Sequence, residues 1–523
     1  MKSFITILIL IFSYTVSAQL YVNGGANIFK VYEGAILTVN GNLEVEGANS
    51  NFKILDQAIV SVTGNALVNG GPDIFTLSGG AILSVNGYLQ VEGATSNFKI
   101  LDQAIVSVTG NALINGGTLT NGDANGGSQL NIQGDIVNNS SLINTGTLSL
   151  GGNWPLSANP LATFNGIAGT IAITGILNQT ISINDLQTAG LIINKGGTAN
   201  YTGNQLSISD DVDFQRGVMI IDNPTRFVVG PNATVSGGSV DSYLQGYMIH
   251  QGGGNKFFPL GYQGEYGPLT ILEVFGTDPE YTATYTNPNF SNPQIDTSIP
   301  LYDQLMGLSD RGLWEVALSA NSTLSTLPDQ NIGYEITYAN ESYPIINPIR
   351  HKFKSPVIAT GPDPSGPFVS LGVQTYITTD SLTRGTITSE ASVDLNDPAR
   401  YTLGTNNEKI FYLAIGLAAR IDPEGLYYIP DIFSPNASDV NNQRFRVFGE
   451  KIQEDQFTLQ IYNRFGALVY EEKSFTQANQ IGWDGVSQKT KKEEPTGTYF
   501  YFVKLLKENG EVIQKRGSFY LVR

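Results

Sequence analysis

Residues 33–71 and 79–117 are near-copies: at a shift of 46, 33 of 39 positions are identical. The shift is two units of 23. Phe29, Phe52, Phe75 and Phe98 fall 23 apart, as do Ala35, Ala58, Ala81 and Ala104, and Gly41, Gly64, Gly87 and Gly110. A unit this short cannot bury an apolar face by itself, so it does so by stacking on its neighbours, which makes a solenoid. Within the second unit, Phe52-Lys53-Ile54, Ile59-Val60-Ser61-Val62 and Ala66-Leu67-Val68 alternate with the period of a strand. Three short strands and three turns in 23 residues predict one coil of a parallel β-helix, advancing about 4.8 Å per coil. The four phenylalanines then form an inward ladder, Val39, Val62, Val85 and Val108 a second, and the glycines take the corners.

Beyond residue 117 the period loosens, but short alternating runs continue: Leu130–Gln133, Thr147–Leu150, Thr170–Ile173, Leu191–Asn194, Leu206–Ile208, Val218–Ile221 and Phe227–Gly230. The solenoid is expected over 19–240. Residues 1–18 read as a secretory signal peptide, with Lys2, an apolar run from Phe4 to Phe12, and Val16 and Ala18 before a cut ahead of Gln19. That run is shorter than the ~20 residues that span a bilayer, and no other segment is long and apolar enough, so no transmembrane segment is expected after signal removal. From 255 to 420 proline and aromatics rise and the period vanishes. Runs such as Tyr281–Tyr285, Trp314–Leu318 and Tyr334–Tyr338, with turns between, predict a β-sandwich. Phe257-Phe258-Pro259-Leu260-Gly261 followed by Tyr266-Gly267-Pro268-Leu269-Thr270 resembles a segment common in large surface proteins of gliding-type Gram-negative bacteria. The fold class is all-β.

Outward positions of the coils line up in rows. Thr38, Ser61, Ser84 and Ser107 form one; Asn40, Thr63, Asn86 and Thr109 form the next; Lys30, Lys53, Thr76 and Lys99 form a third. The first two rows are the candidate binding face, a regular polar surface suited to a repetitive target such as an extracellular polysaccharide or another surface ligand. Paired Thr/Ser rows resemble the flat faces of ice-binding β-solenoids, and the repetitive style resembles the stalks of secreted bacterial adhesins.

Composition argues against chemistry. With 29 basic and 46 acidic residues the chain carries −17, which disfavours nucleic acid as a partner. There is no cysteine, and His250 and His351 are the only histidines, so disulfides, thiolate sites and histidine-based catalysis have little material. Both histidines read as surface or packed residues. Asp296, Asp303 and Asp310 are spaced by seven but lack a calcium-loop pattern, so they read as loop carboxylates. No catalytic residue, cofactor or metal is expected. A polysaccharide-degrading β-helix enzyme would need clustered carboxylates. Glu44, Glu46 and Asp56 recur as Gln90, Glu92 and Asp102 one double unit later, which looks like a decorated surface.

Residues 421–523 hold 13 basic and 14 acidic residues, leaving −1, so the first 420 carry −16. This break, with Pro423 and Pro430, marks a domain. It contains Ser434-Pro435-Asn436, a hairpin turn Asn463-Arg464-Phe465-Gly466, Gly482-Trp483-Asp484-Gly485, Pro495-Thr496-Gly497-Thr498-Tyr499, and a last strand running from Lys515-Arg516-Gly517 to the terminus. Alternation at Thr458–Tyr462 and the aromatic strand after Gly497 predict a small Ig-like sandwich. The order of these motifs resembles the gliding-motility-associated C-terminal domain, the type B sorting domain of the type IX secretion system. The chain departs from the family at Asn436–Asn442, where a glycine and a carboxylate usual in that loop are missing. The resemblance implies passage of the inner membrane by the signal peptide, then recognition by the type IX secretion machinery, with a secreted or outer-membrane cell-surface destination. It makes Lys515 and Arg516 candidate contacts with that machinery.

Overall fold

The computed structural model describes residues 14–16, 19–23, 28–124, 126–222, 224–274, 276–286, 294–296, 298, 305–324, 333–339, 354–372, 375–380, 384–419, 427–437, 442–449, 452–506 and 512–523. The protein is all-β with about 3% helix, and its N-terminal part is a β-solenoid of about 10 turns. Two compact units make up the chain: one of 1–294, 309–343 and 358–415, the other of 295–308, 344–357 and 416–523.

Each early coil has three strands on three faces. The first face stacks Ile28–Val31, Asn51–Ile54, Phe75–Leu77 and Asn97–Ile100 in parallel. The second stacks Ile36–Val39, Ile59–Val62, Ile82–Val85 and Ile105–Val108, each residue pairing with the one 23 later. The third stacks Leu20–Asn23, Leu43–Gly47, Ala66–Gly70 and Leu89–Glu92. Tyr14–Val16, within the expected leader, adds a strand to the second face by pairing with Leu37–Val39. The rest of the leader, 1–13 and 17–18, lies outside the described residues.

The inward ladders form because one coil's apolar side chain has only its equivalents above and below to touch. The rings of Phe29, Phe52, Phe75 and Phe98 stack with centroids 5.0, 4.9 and 4.7 Å apart. Val39, Val62, Val85 and Val108 are buried in a parallel column. The corner glycines are required by close approach. A Cβ on Gly87 would sit 2.8 Å from the Gly64 carbonyl oxygen, and one on Gly110 would sit 2.7 Å from that of Gly87. Asparagines tie the same corner: Asn42 Oδ1 accepts from Asn65 N at 2.9 Å and Asn65 Oδ1 from Tyr88 N at 3.0 Å.

After residue 117 the stacking persists while the repeat length varies. Phe98 pairs with Leu119, Ser107 with Asn131 and Leu130 with Leu148, so spacings of 21, 24 and 18 replace 23, the turns absorbing the difference. Buried asparagines enter the core: Asn121 Nδ2 donates to Asn144 Oδ1 at 2.7 Å and to Thr147 O at 2.9 Å. The short strands expected at Leu191–Asn194, Leu206–Ile208 and Val218–Ile221 are pieces of two long ones, Leu186–Tyr201 and Gln205–Ile221, which stay paired across register shifts rather than breaking at turns. Parallel pairing reaches Met248–His250, and the strand Met248–Gln251 then pairs antiparallel with Glu280–Thr286.

Beyond Gln251 antiparallel pairing takes over. One sheet orders Gly254–Phe258, Leu269–Val274, Gly333–Ala339, Arg384–Thr388 and Thr375–Asp380. Another runs on from Glu280–Thr286 to Leu305–Leu318. In the second unit a five-stranded sheet orders Ile432–Phe433, Val512–Leu521, Gly497–Leu506, Thr458–Tyr462 and Leu468–Glu472. Its inner face packs Leu459, Ile461, Tyr499, Val503, Phe519 and Leu521 on Phe433, Phe445 and Trp483. A short helix, Phe475–Gln480, is not anticipated by the period-2 pattern; Ser474 caps it by accepting from Gln477 N at 3.1 Å.

Candidate functional site

The two outward rows lie side by side on the second face. Thr38, Ser61, Ser84 and Ser107 are direct register partners, and the row continues to Asn131 and Ser149. Asn40, Thr63, Asn86 and Thr109 are exposed at the strand ends. Their amides hold the next coil in place: Thr63, Asn86 and Thr109 donate to Val39, Val62 and Val85 at 3.0, 3.0 and 2.9 Å. A third outward row, Ile36, Ile59, Ile82 and Ile105, flanks them, with Ile36 44% exposed. The alternation already implied this row, because any residue two before an outward serine also points out. The face is therefore amphiphilic, with an isoleucine row beside two hydroxyl- and amide-bearing rows. The row Lys30, Lys53, Thr76 and Lys99 occupies the first face instead, where Lys99 pairs with Asp73 at 2.7 Å.

The carboxylates considered for catalysis do not converge. Glu44 and Glu46 stand on the third face, where Tyr21 donates to Glu46 at 2.9 Å. That bond raises the Tyr21 pKa. Asp56 sits at the corner between the first and second faces. His250 is buried, its Nε2 2.8 Å from Phe257 O and its ring edge-on to Phe258. Burial pushes its pKa down to about 3. Asp296 accepts from Ser298 N and Oγ at 2.9 and 2.6 Å, a local turn. His351, Asp303 and the Asp310 side chain lie outside the described residues, as do 438–441 of the loop at Asn436–Asn442. No helix among the described residues is long and apolar enough to cross a membrane.

In the C-terminal domain the motif residues do three kinds of work. Trp483 and Tyr499 are core. The Trp483 ring lies 5.6 Å from Phe433 and 5.2 Å from Tyr499, and its Nε1 donates to Val486 O at 2.8 Å. Tyr499 donates to Pro495 O at 2.8 Å, and burial raises its pKa. Asn463, Asp484 and Gly466 shape turns. Asn463 Oδ1 accepts from Phe465 N and Ala467 N, both at 3.0 Å, Asp484 Oδ1 accepts from Val486 N at 3.0 Å, and Gly466 has φ +77°. Arg464 lies over the exposed Phe465 ring at 4.8 Å. Gly517 leaves room for Tyr501, whose hydroxyl would be 2.4 Å from a Cβ there. Lys515 lies over Tyr427 at 5.0 Å, while Thr498 and Asn436 are exposed.

One residue missed in the sequence brings separate motifs together. Arg523, the last residue, donates from Nη2 to Gly485 O at 2.8 Å and from Nε to Glu494 O at 2.9 Å. Its backbone N donates to Thr496 Oγ1 at 3.1 Å. It thus ties the Trp-Asp-Gly turn to the turn before Gly497, and Pro435 packs beside the same glycine. A terminal arginine carries no pattern of its own; only the closeness of the two turns reveals it.

Residues 427–521 match the family model of the CHU_C type IX secretion signal domain. No curated protein matches the chain.

Proposed function

We propose that this chain, bearing a type IX secretion signal domain at residues 427–521, is a structural or adhesive protein whose solenoid serves as stalk and as binding face. The signal domain implies export by the type IX secretion system and a secreted or cell-surface location. The leader is cut after Ala18, and the domain is then read by the outer-membrane machinery. The adhesive reading rests on the second face: near-identical coils present equivalent hydroxyl, amide and isoleucine positions at the ordinary interstrand spacing of about 4.8 Å. Such a face offers many weak, equivalent contacts to a periodic target such as an extracellular polysaccharide, and the contacts sum. It does not provide the unique cluster a reaction needs: Glu44 and Glu46 share the third face, while Asp56 stands at the corner between the other two.

We read 255–420 as a β-sandwich. In its support, Tyr334 of one sheet meets Phe411, on the strand Lys409–Ala419, with ring centroids 5.8 Å apart. We read 421–523 as Ig-like, from the parallel closure of Ile432–Phe433 on the last strand.

Deleting 427–523 tests the export reading: the protein is then held in the periplasm, and unchanged surface delivery overturns it. Purified protein incubated with acidic and neutral polysaccharides tests the rest. Saturable binding without product supports the adhesin. Product release supports the enzyme alternative, and thermal hysteresis or inhibition of ice recrystallisation supports ice binding.

A further inference from the structure

The inner face of the C-terminal sheet is filled by its core, and the outer face sets aromatics among the polar residues usual on a solvated sheet. Three strands build it in register. Tyr462, Phe500 and Ser518 form one rung, and Gln460, Phe502 and Arg516 the next. Between them lies an open groove of about 690 Å³. Phe500 and the neighbouring Tyr520 are 48% and 44% exposed, and Ile432, paired with Tyr520, is 49% exposed.

The polar atoms around this groove are unevenly used. Tyr462 donates to Gln460 Oε1 at 2.9 Å, and Gln460 Nε2 donates to Glu471 at 2.8 Å, so those two are spent on each other and on the far edge. Glu471 also lies 3.9 Å from Lys473. Arg516 is different: its guanidinium rests 5.5 Å from the Phe502 ring centroid, with no carboxylate paired to it among the described residues. Lys504 and Gln514 occupy the next rung. Exposed aromatics around an arginine that pairs with no described carboxylate match the composition of protein–protein interface centres. An arginine fork beside an apolar floor selects a carboxylate flanked by apolar side chains.

We infer that this outer face is the surface by which the sorting domain docks on an outer-membrane protein of the type IX machinery, which places an acidic side chain on Arg516 and apolar side chains on Phe500 and Phe502. The inference rests on the sorting role proposed above and names its contact.

The test uses the full-length protein in its own host. A photo-cross-linking residue, p-benzoylphenylalanine, replaces the exposed Ser518, and surface delivery is read by protease accessibility on intact cells. The expected result is a cross-link to one outer-membrane protein of the machinery. Phe502→Ser and Arg516→Glu reduce it at least about tenfold, as loss of an interface anchor does, and they reduce surface delivery with it. Arg516→Gln falls between Arg516→Glu and wild type, because it removes the attraction without adding repulsion. Lys489→Glu, a charge reversal on an exposed turn of the same domain, leaves both unchanged. Thermal melting of each purified variant separates lost docking from lost folding, and the Ser518 cross-link in the otherwise native protein needs no folded variant.

Normal delivery of folded Phe502→Ser and Arg516→Glu, while the 427–523 deletion is retained, overturns the docking face and leaves the sorting role standing. Delivery of the deletion itself overturns both. Equal behaviour of Arg516→Gln and Arg516→Glu overturns the carboxylate. Binding to purified lipopolysaccharide that Phe502→Ser abolishes, with no protein cross-link, overturns a protein partner in favour of a glycan.

Discussion

Replacing Phe75 by alanine probes the stacked interior where it is tightest. Phe75 is fully buried and stacks on Phe52 at 4.9 Å and on Phe98 at 4.7 Å. Truncating a buried phenylalanine costs about 3–5 kcal/mol. Here the two ring pairs, each contributing about 0.5–1.5 kcal/mol, place it near the upper end. Phe29 is a half-buried end member with one stacked neighbour among the described residues, so Phe29→Ala should cost only about 1–2 kcal/mol by the same area argument. Coils of a solenoid open locally, and a global melt would blur the difference. Amide hydrogen exchange over peptides within 51–100 reads the local opening energy instead. At about 1.4 kcal/mol per tenfold, Phe75→Ala lowers protection there by roughly three decades and Phe29→Ala by roughly one. Equal losses for the two variants, or a loss below tenfold for Phe75→Ala, would refute the ladder as the source of cohesion.

Three further outcomes are expected. Asn144→Leu strands one N–H of the buried Asn121 Nδ2, the other still bonded to Thr147 O, costing about 1–3 kcal/mol through the unsatisfied donor, visible as faster exchange in 118–150. Arg523→Ala removes bonds to Gly485 and Glu494. It destabilises 427–521 by about 1–3 kcal/mol, measured by urea unfolding of that region; its ion pair with the exposed Glu493 adds little. His250 holds its pKa near 3 when folded against 6.5 when exposed, so the unfolded state binds the extra proton. Its contribution is whole above about pH 6.5 and falls towards pH 3 by up to about 1.4 kcal/mol per pH unit. Beside it, Lys256 lowers the pKa further. A His250→Gln variant should lack that part of the acid sensitivity in urea midpoints taken across this range.

The early solenoid was legible because its first coils repeat the same constraint: a phenylalanine, a valine and a corner glycine recur at one spacing, and only stacking satisfies all of them. What stayed hidden carries no periodic apolar signal. Asp56-Gln57 and Asp102-Gln103 take positive φ, between 52° and 63°, at the corner where Gly79-Gly80 do the same; the glycine pair announces such a turn and the aspartate–glutamine pair does not. Asn121 and Asn144 sit at inward positions, where alternation alone reads a polar residue as outward. Leu186–Tyr201 and Gln205–Ile221 round their corners by register shifts at Gly190 and around Gly196-Gly197, so glycines that read as breaks between short strands lie inside long ones. In the C-terminal domain the motif order was plain, but the service of Arg523 to two turns depends on contacts distant in sequence.

The absence of native cysteine allows a direct measurement of the stacking. Thr38 and Ser149 lie five rungs apart in one outward row, through Ser61, Ser84, Ser107 and Asn131. Spin labels on Thr38→Cys and Ser149→Cys, read by double electron–electron resonance, should give a narrow distribution near 24 Å, five steps of about 4.8 Å. The Thr38→Cys and Asn131→Cys pair should lie one step shorter. A broad distribution, or distances that do not shorten by one interstrand step, would contradict the stacked coil on which the account rests.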